Sequence, residues 1–297
     1  MEPWKIFIQE SIPFACLPRG ESMWTLLGIP FDSTTTFKPG SRFAPDHIRT
    51  VACNIEFYSI LTGLLLEEDC FNDLGNLILP PGDTLKSLEL IEDAAKGIRS
   101  RYPRSLLIFI GGEHLLTYPI IRGLRKEIDS LVVFDAHLDL RDEYLNSKLN
   151  HATFLRRIVE NLDVNVIHIG SRAYSKEELE FLKDGGVTVL NVLEAMKQEE
   201  VVKKLDTIGL GRTYISVDID VIDPSFAPGV GNPESLGLNP LTLLSLLKII
   251  YEKSNKVIGF DIVEVNPLVD VNDVTSILAS KIILEISALE KTYNRSI

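Results

Sequence analysis

Asp135-Ala136-His137-Leu138-Asp139 places two carboxylates and an imidazole within five residues, directly after the apolar run Leu131-Val132-Val133-Phe134. Four apolar residues bounded by polar ones read as a buried strand. Side chains alternate along an extended chain, so Asp135, His137 and Asp139 project to one side of its tip. Carboxylate and imidazole together suit a divalent ion of the manganese or zinc kind better than a soft thiolate site would. Burying charge without partners is costly. Three ionisable groups at the end of a buried strand therefore point to chemistry.

The elements that must position them alternate along the chain. Strand candidates are 24–29, 106–110, 131–134, 164–169, 187–192, 213–217 and 257–262, with a further one inside 73–79. Amphipathic segments such as 84–101, 118–128, 152–161, 241–252 and 274–289 fall between them. Strands alternating with helices imply βαβ crossovers and a mostly parallel sheet covered on both faces. No Pro/Ser/Gly-rich linker, charge block or repeat divides the chain. The expectation is one three-layer α/β/α domain over residues 1–297, built on about eight strands.

In such a sheet, ligands bind beyond the carboxyl ends of the strands, so other reactive groups should gather at other strand ends. The run Leu106–Ile110 leads into Gly111-Gly112-Glu113-His114, where two glycines permit a tight turn. Thr213–Val217 leads into Asp218-Ile219-Asp220 and then Asp223-Pro224. Val257–Ile262 leads into Glu264-Val265-Asn266-Pro267. An aspartate at one such position could simply cap the next helix. Four strand ends carrying acid or histidine make that reading weak.

Composition limits the alternatives. With 45% hydrophobic and 24% charged residues in 297, the chain can bury a large core without extensive disorder. No apolar run reaches the roughly 18 residues of a membrane span, and the start lacks a signal-peptide pattern. A net charge of −12 disfavours nucleic acid as partner and is compatible with a small cationic substrate. The three cysteines, Cys16, Cys53 and Cys70, form no close pair and are odd in number, which argues against a disulfide framework and for the cytoplasm.

Taken together, these blocks resemble the ureohydrolase (arginase/agmatinase) family of binuclear manganese enzymes. Its Gly-Gly-Asp-His block appears as Gly111-Gly112-Glu113-His114, its Asp-Ala-His-x-Asp block stands at 135–139, and its Ser-x-Asp-x-Asp-x-x-Asp-Pro block runs from Ser216 to Pro224. The likeness covers the chain from about Leu27 to Pro267 and implies an arginase-like fold. It implies two Mn2+ ions held by His114, Asp135, His137, Asp139, Asp218 and Asp220, with Asp135 and Asp218 as bridges. His114 and Asp139 would complete one site, His137 and Asp220 the other. The ions would activate water for attack on a guanidinium carbon, with Asp139 keeping it in line. His151 matches the position that passes protons to the leaving amine, a task suited to a group titrating near neutrality. Glu264 matches the carboxylate that orients the guanidinium, and Asn232 lies in the loop beside the substrate. A trimeric or hexameric homo-oligomer is also implied.

Pro30-Phe31-Asp32 followed by Pro39-Gly40-Ser41-Arg42, with Pro45 and Ile48-Arg49, resembles the agmatinase branch, as does Ala227-Pro228-Gly229. That branch cleaves agmatine to putrescine and urea, in polyamine biosynthesis. Glu113 and Leu115 depart from the usual Asp and Ser beside the first histidine. Val230 and Asn232 stand where threonine is usual, and Leu236-Gly237 where a glycine pair is. The alternatives are hydrolysis of arginine, guanidinobutyrate or formiminoglutamate, or a metal-binding member without turnover. A nucleotide-phosphate binder using Asp218-Ile219-Asp220 is disfavoured, because the chain has no Gly-rich loop followed by lysine.

Overall fold

The apolar runs form the centre of a nine-stranded sheet in the computed structural model, which describes residues 3–294. The strands are β1 (Ile8–Gln9), β2 (Trp24–Gly28), β3 (Asn72–Leu77), β4 (Leu106–Ile110), β5 (Ser130–Phe134), β6 (Asn165–Ser171), β7 (Val187–Asn191), β8 (Arg212–Asp218) and β9 (Lys256–Val263). Their order is β1-β3-β2-β4-β9-β8-β5-β6-β7. All neighbours are parallel except β1, which runs antiparallel to β3. The eight expected strands are present. The ninth, β1, is a two-residue edge strand, too short to leave a period in the sequence.

The helices are α1 (Ala44–Ala52), α2 (Thr84–Arg101), α3 (Thr117–Leu124), α4 (Phe154–Asn161), α5 (Lys176–Phe181), α6 (Val192–Ala195), α7 (Gln198–Ile208), α8 (Pro240–Lys253) and α9 (Val274–Tyr293). Ile108, Val132, Phe134, Ile215 and Phe260 on one sheet face share a core with α1, α8 and α9. Leu107, Phe109, Leu131, Val133 and Tyr214 on the other share one with α2, α3 and α4. Burial of both faces is why these strands read as continuous apolar runs. The result is a three-layer α/β/α domain.

The cysteine expectation is overturned: Cys16 and Cys53 form a disulfide, and Cys70 is free. The pair is separated by 37 positions, but separation along the chain does not measure distance. Cys16 ends a short turn ahead of β2, and Cys53 caps the end of α1, which folds back from the far end of β2. The cysteine argument for a cytoplasmic location falls with it. Beside this bond, the buried Arg49 of α1 makes a bidentate pair with Asp73 of β3, at 2.9 Å for each bond. Among the described residues, no helix is long and apolar enough to cross a membrane.

Candidate active site

Strands β4, β9, β8 and β5 are consecutive in the sheet, and their carboxyl ends supply every candidate ligand. The sheet therefore gathers groups from positions 114 to 264. Gly112 allows this at one point, since a Cβ there would meet the Phe31 carbonyl oxygen at 1.8 Å. That close approach lets Glu113 N–H donate to the same oxygen at 2.6 Å.

Two groups of ligand atoms result, each within 4.8 Å of one another: His114, Asp135 and Asp139 in one, Asp135, His137 and Asp220 in the other. Asp135 belongs to both. His114 Nδ1 lies 3.0 Å from Asp135 Oδ2, 3.2 Å from Asp218 Oδ2 and 3.7 Å from Asp139 Oδ2. His137 Nδ1 lies 2.9 Å from Asp220 Oδ2 and 3.6 Å from Asp135 Oδ1. The other carboxylate oxygen of Asp218 accepts from Asp220 N–H at 2.8 Å. All six residues expected as ligands are thus brought together.

His114 is held with a defined face. Its ring stacks on Phe154, centroids 4.1 Å apart, and Nε2 lies 2.9 Å from Ser216 Oγ. Ser216 donates to Asp261 at 2.6 Å, and Asp261 also accepts from Tyr214 and Thr117. Since the serine hydrogen is committed to a carboxylate, its oxygen accepts from Nε2–H, which leaves Nδ1 as the atom that takes up either a proton or a metal ion. Nδ1 and Asp135 Oδ2 are buried and without any hydrogen bond. Orphaned buried acceptors are costly in isolation. Imidazole and carboxylate lone pairs aimed at common points fit divalent cations.

The charges of the cluster carry the same message. Burial opposes a charge on His114, yet the adjacent Asp135 carboxylate outweighs it and lifts the ring to about 9. Burial, and after it the Asp135 charge, push Asp139 well above the ordinary carboxylate range. Burial with Asp220 and Asp135 does the same to Asp218. So many acids cannot all ionise in one dry site unless cations accompany them.

Glu264 and Asp139 both adopt left-handed backbone, with φ of 62° and 53°. Such strain in non-glycine residues concentrates at functional sites. Glu264 Oε1 accepts from His114 N–H at 2.8 Å, and its carboxyl is raised to about 8 by burial and by Glu113. Glu113 accepts from Thr34 N–H at 2.8 Å, Thr34 Oγ1 at 2.5 Å and Thr35 Oγ1 at 3.1 Å. Thr34 Oγ1 in turn accepts from His151 N–H at 3.1 Å, and Thr36 Oγ1 lies 3.2 Å from His151 Nε2. The Glu113 departure thus has a use: its longer side chain ties the 34–36 loop to the His151 turn. Burial, reinforced by His137 and His114, lowers His151 to about 4, so its imidazole is neutral at neutral pH. This corrects the expectation that His151 titrates near neutrality.

Thr35, Thr36, Asp139, His151 and Glu264 line a cavity of about 240 Å³. One wall is the loop after β8. A Cβ on Gly231 would stand 3.8 Å from Glu264 Oε2, and Asn232 Nδ2 is 3.2 Å from His137 Nε2. Val230 is buried and bridges Val265, whereas Leu236 is 79% exposed with φ of 66°. Sequence reasoning missed Arg172, which follows β6 and donates to the carbonyls of Asp220, Glu234, Ser235, Val221 and Gly170 at 2.7–3.4 Å. An arginine directly after a strand end was the available signal. Arg141, Tyr144 and Glu178 also line the cavity and were missed.

A parallel α/β sheet whose central strands end in two histidine–carboxylate groups sharing one aspartate defines a candidate metal centre in an arginase-like fold. The Arginase family model matches residues 22–288. The agmatinase of Bacillus anthracis is 37% identical over 289 residues, 95% of this chain and 94% of that protein. The agmatinase of Bacillus subtilis is 38% identical over 268 residues, 88% and 89% respectively. Among solved structures, the agmatine ureohydrolase of Thermoplasma volcanium superimposes with a TM-score of 0.84 at 34% identity, covering 100% of this chain and 99% of that one. The chain belongs to the arginase family.

Proposed function

We propose that this protein hydrolyses agmatine to putrescine and urea with two Mn2+ ions per chain. The observation that carries the reading is the sharing of Asp135 between two ligand groups, the arrangement a bridged pair of cations needs. His114, Asp139, Asp135 and Asp218 would hold one ion, and His137, Asp220 and the same two bridging aspartates the other. What such a pair supplies when bound is activation of water and stabilisation of developing charge. The remaining work falls to the chain. The carboxylate of Asp139 keeps the attacking water in line. Glu264 presents Oε2 to the guanidinium, whose planar fork suits a carboxylate. Asn232 steadies the loop beside His137. His151, neutral and lining the cavity, accepts a proton and passes it to the departing amine.

Agmatine is preferred because the relatives that span nearly the whole chain are named agmatinases, and because the 30–42 segment follows the same pattern. One observation favours a second reading, a guanidino acid: Arg141 lines the cavity, stacked at 5.1 Å on Tyr144, and no carboxylate among the described residues pairs with it. Incubating the Mn-loaded protein with agmatine, arginine, guanidinobutyrate and formiminoglutamate separates these. Urea and putrescine from agmatine are expected; urea from arginine but not agmatine would overturn the assignment. Two ions per chain without turnover of any of them would leave a binding protein. A cytoplasmic homo-oligomer, trimeric or hexameric, completes the proposal, and sedimentation would check the assembly.

A further inference from the structure

The cavity has two ends. At the buried end stand Asp139, Asp218, Asp220 and Glu264. The loop from Gly231 leads outward from there, past Asn232 at His137, to Glu234, which also lines the cavity. Three extended residues span at most about 10 Å, at roughly 3.3 Å each. Counting the 3.8 Å between a Cβ on Gly231 and Glu264 Oε2, the Glu234 backbone stands within about 15 Å of that oxygen, a gap that a glutamate side chain and an aminoalkyl chain can span together.

Its backbone is not free to wander. Arg172 donates to the Glu234 carbonyl at 2.7 Å and to that of Ser235 at 2.8 Å. The same guanidinium holds the carbonyls of Asp220 at 2.7 Å and Val221 at 3.3 Å. The outer wall is therefore pinned to the turn that carries Asp220. The side chain of Glu234, by contrast, is uncommitted: among the described residues, no hydrogen bond or ion pair involves its carboxylate. Glu178, a further carboxylate lining the same cavity, is spent on the N–H groups of Leu140 at 3.0 Å and Ser175 at 2.8 Å. A fixed backbone with an unpaired, half-buried glutamate at the cavity wall is a preorganised receptor for a cation.

We propose that Glu234 receives the far ammonium group of an aminoalkylguanidine and so determines substrate choice, with Arg172 fixing its position. The inference rests on the proposed hydrolysis and adds the recognition of the substrate's non-reacting end. Glu234 touches no reacting atom. Its contribution is the same in ground and transition states, so its loss should appear in KM and spare kcat. Arg141, a cation lining the same cavity, stays in its aromatic contact with Tyr144.

The test compares agmatine with n-butylguanidine, which keeps the chain and lacks the ammonium, for wild type and Glu234→Gln. Glutamine preserves shape and removes charge, and a thermal melt of each protein checks the fold. Glu234→Gln should raise KM for agmatine about tenfold, the scale of one charge-assisted hydrogen bond, with kcat and every constant for butylguanidine unchanged. Glu234→Asp should recover part of the loss. An equal effect on both substrates would reduce Glu234 to a structural role, and an unchanged KM for agmatine would end the proposal outright. Wild type faster on 4-guanidinobutyrate than on agmatine would give recognition to Arg141 instead. No urea from agmatine or butylguanidine by wild type would instead overturn the proposed hydrolysis, and this inference with it.

Discussion

His114 Nε2 lies 2.9 Å from Ser216 Oγ, and the hydrogen of that serine is already given to Asp261. A residue that contacts no substrate thereby selects the tautomer of one that faces the cluster. Ser216→Ala should lower metal affinity by roughly 10- to 100-fold, the cost typical of losing a partner behind a ligating histidine. Isothermal titration of the metal-free protein with Mn2+ reads the change directly. Unaltered affinity would mean that Phe154 stacking alone holds the ring.

The depressed His151 sets a pH dependence of stability. Its folded value of about 4 lies below the unfolded value of about 6.5. The neutral ring is favoured in the fold, so this contribution is complete above pH 6.5 and is lost as pH falls from there through 4. The loss amounts to no more than roughly 3 kcal/mol. Comparing wild type with His151→Asn, both metal-free, cancels the titration of the surrounding acids. The stability gap should shift toward the variant between pH 7 and pH 4.5 in chemical denaturation. A constant gap would show that the ring is hydrated.

The Cys16–Cys53 bond closes a loop that contains β2 and the whole 34–36 wall. Constraining the unfolded chain over that length is worth about 2–4 kcal/mol. Reduction, or Cys53→Ser, should lower the melting temperature accordingly while leaving KM near wild type, because neither cysteine lines the cavity. Equal melting temperatures with and without reductant would show that the bond does not form in solution.

Leu236 occupies left-handed backbone that costs an ordinary side chain about 1–2 kcal/mol. Its side chain is exposed, so little packing is lost on removal. Leu236→Gly should stabilise the protein by about 1 kcal/mol or less, since glycine returns part of the gain to the unfolded state. Denaturant midpoints at constant slope would measure it, and a destabilised variant would mean that Leu236 is covered in solution.

Sequence alone carried the central sheet because β4, β5, β8 and β9 are buried on both faces and so appear as unbroken apolar runs. The six residues that the family resemblance offered as ligands stand just beyond such runs, and the fold brings them together. Edge strand β1 was not legible, being two residues long, and neither was the Cys16–Cys53 contact, which depends on how α1 returns along the sheet. Arg172 escaped notice for a different reason. Its five partners are backbone carbonyls, which leave no mark on residue identity. The lowered His151 was hidden likewise, because burial is a property of the assembled walls.

The hold of Arg172 on the 234–235 segment has a consequence for how this scaffold changes over time. A wall whose path is set by main-chain bonds tolerates replacement of the side chains it displays. The charge facing the outer end of a substrate can then be altered one codon at a time, while the ligand groups beneath stay in register. New guanidino specificities are reachable here by substitution, without insertion or deletion in the loop.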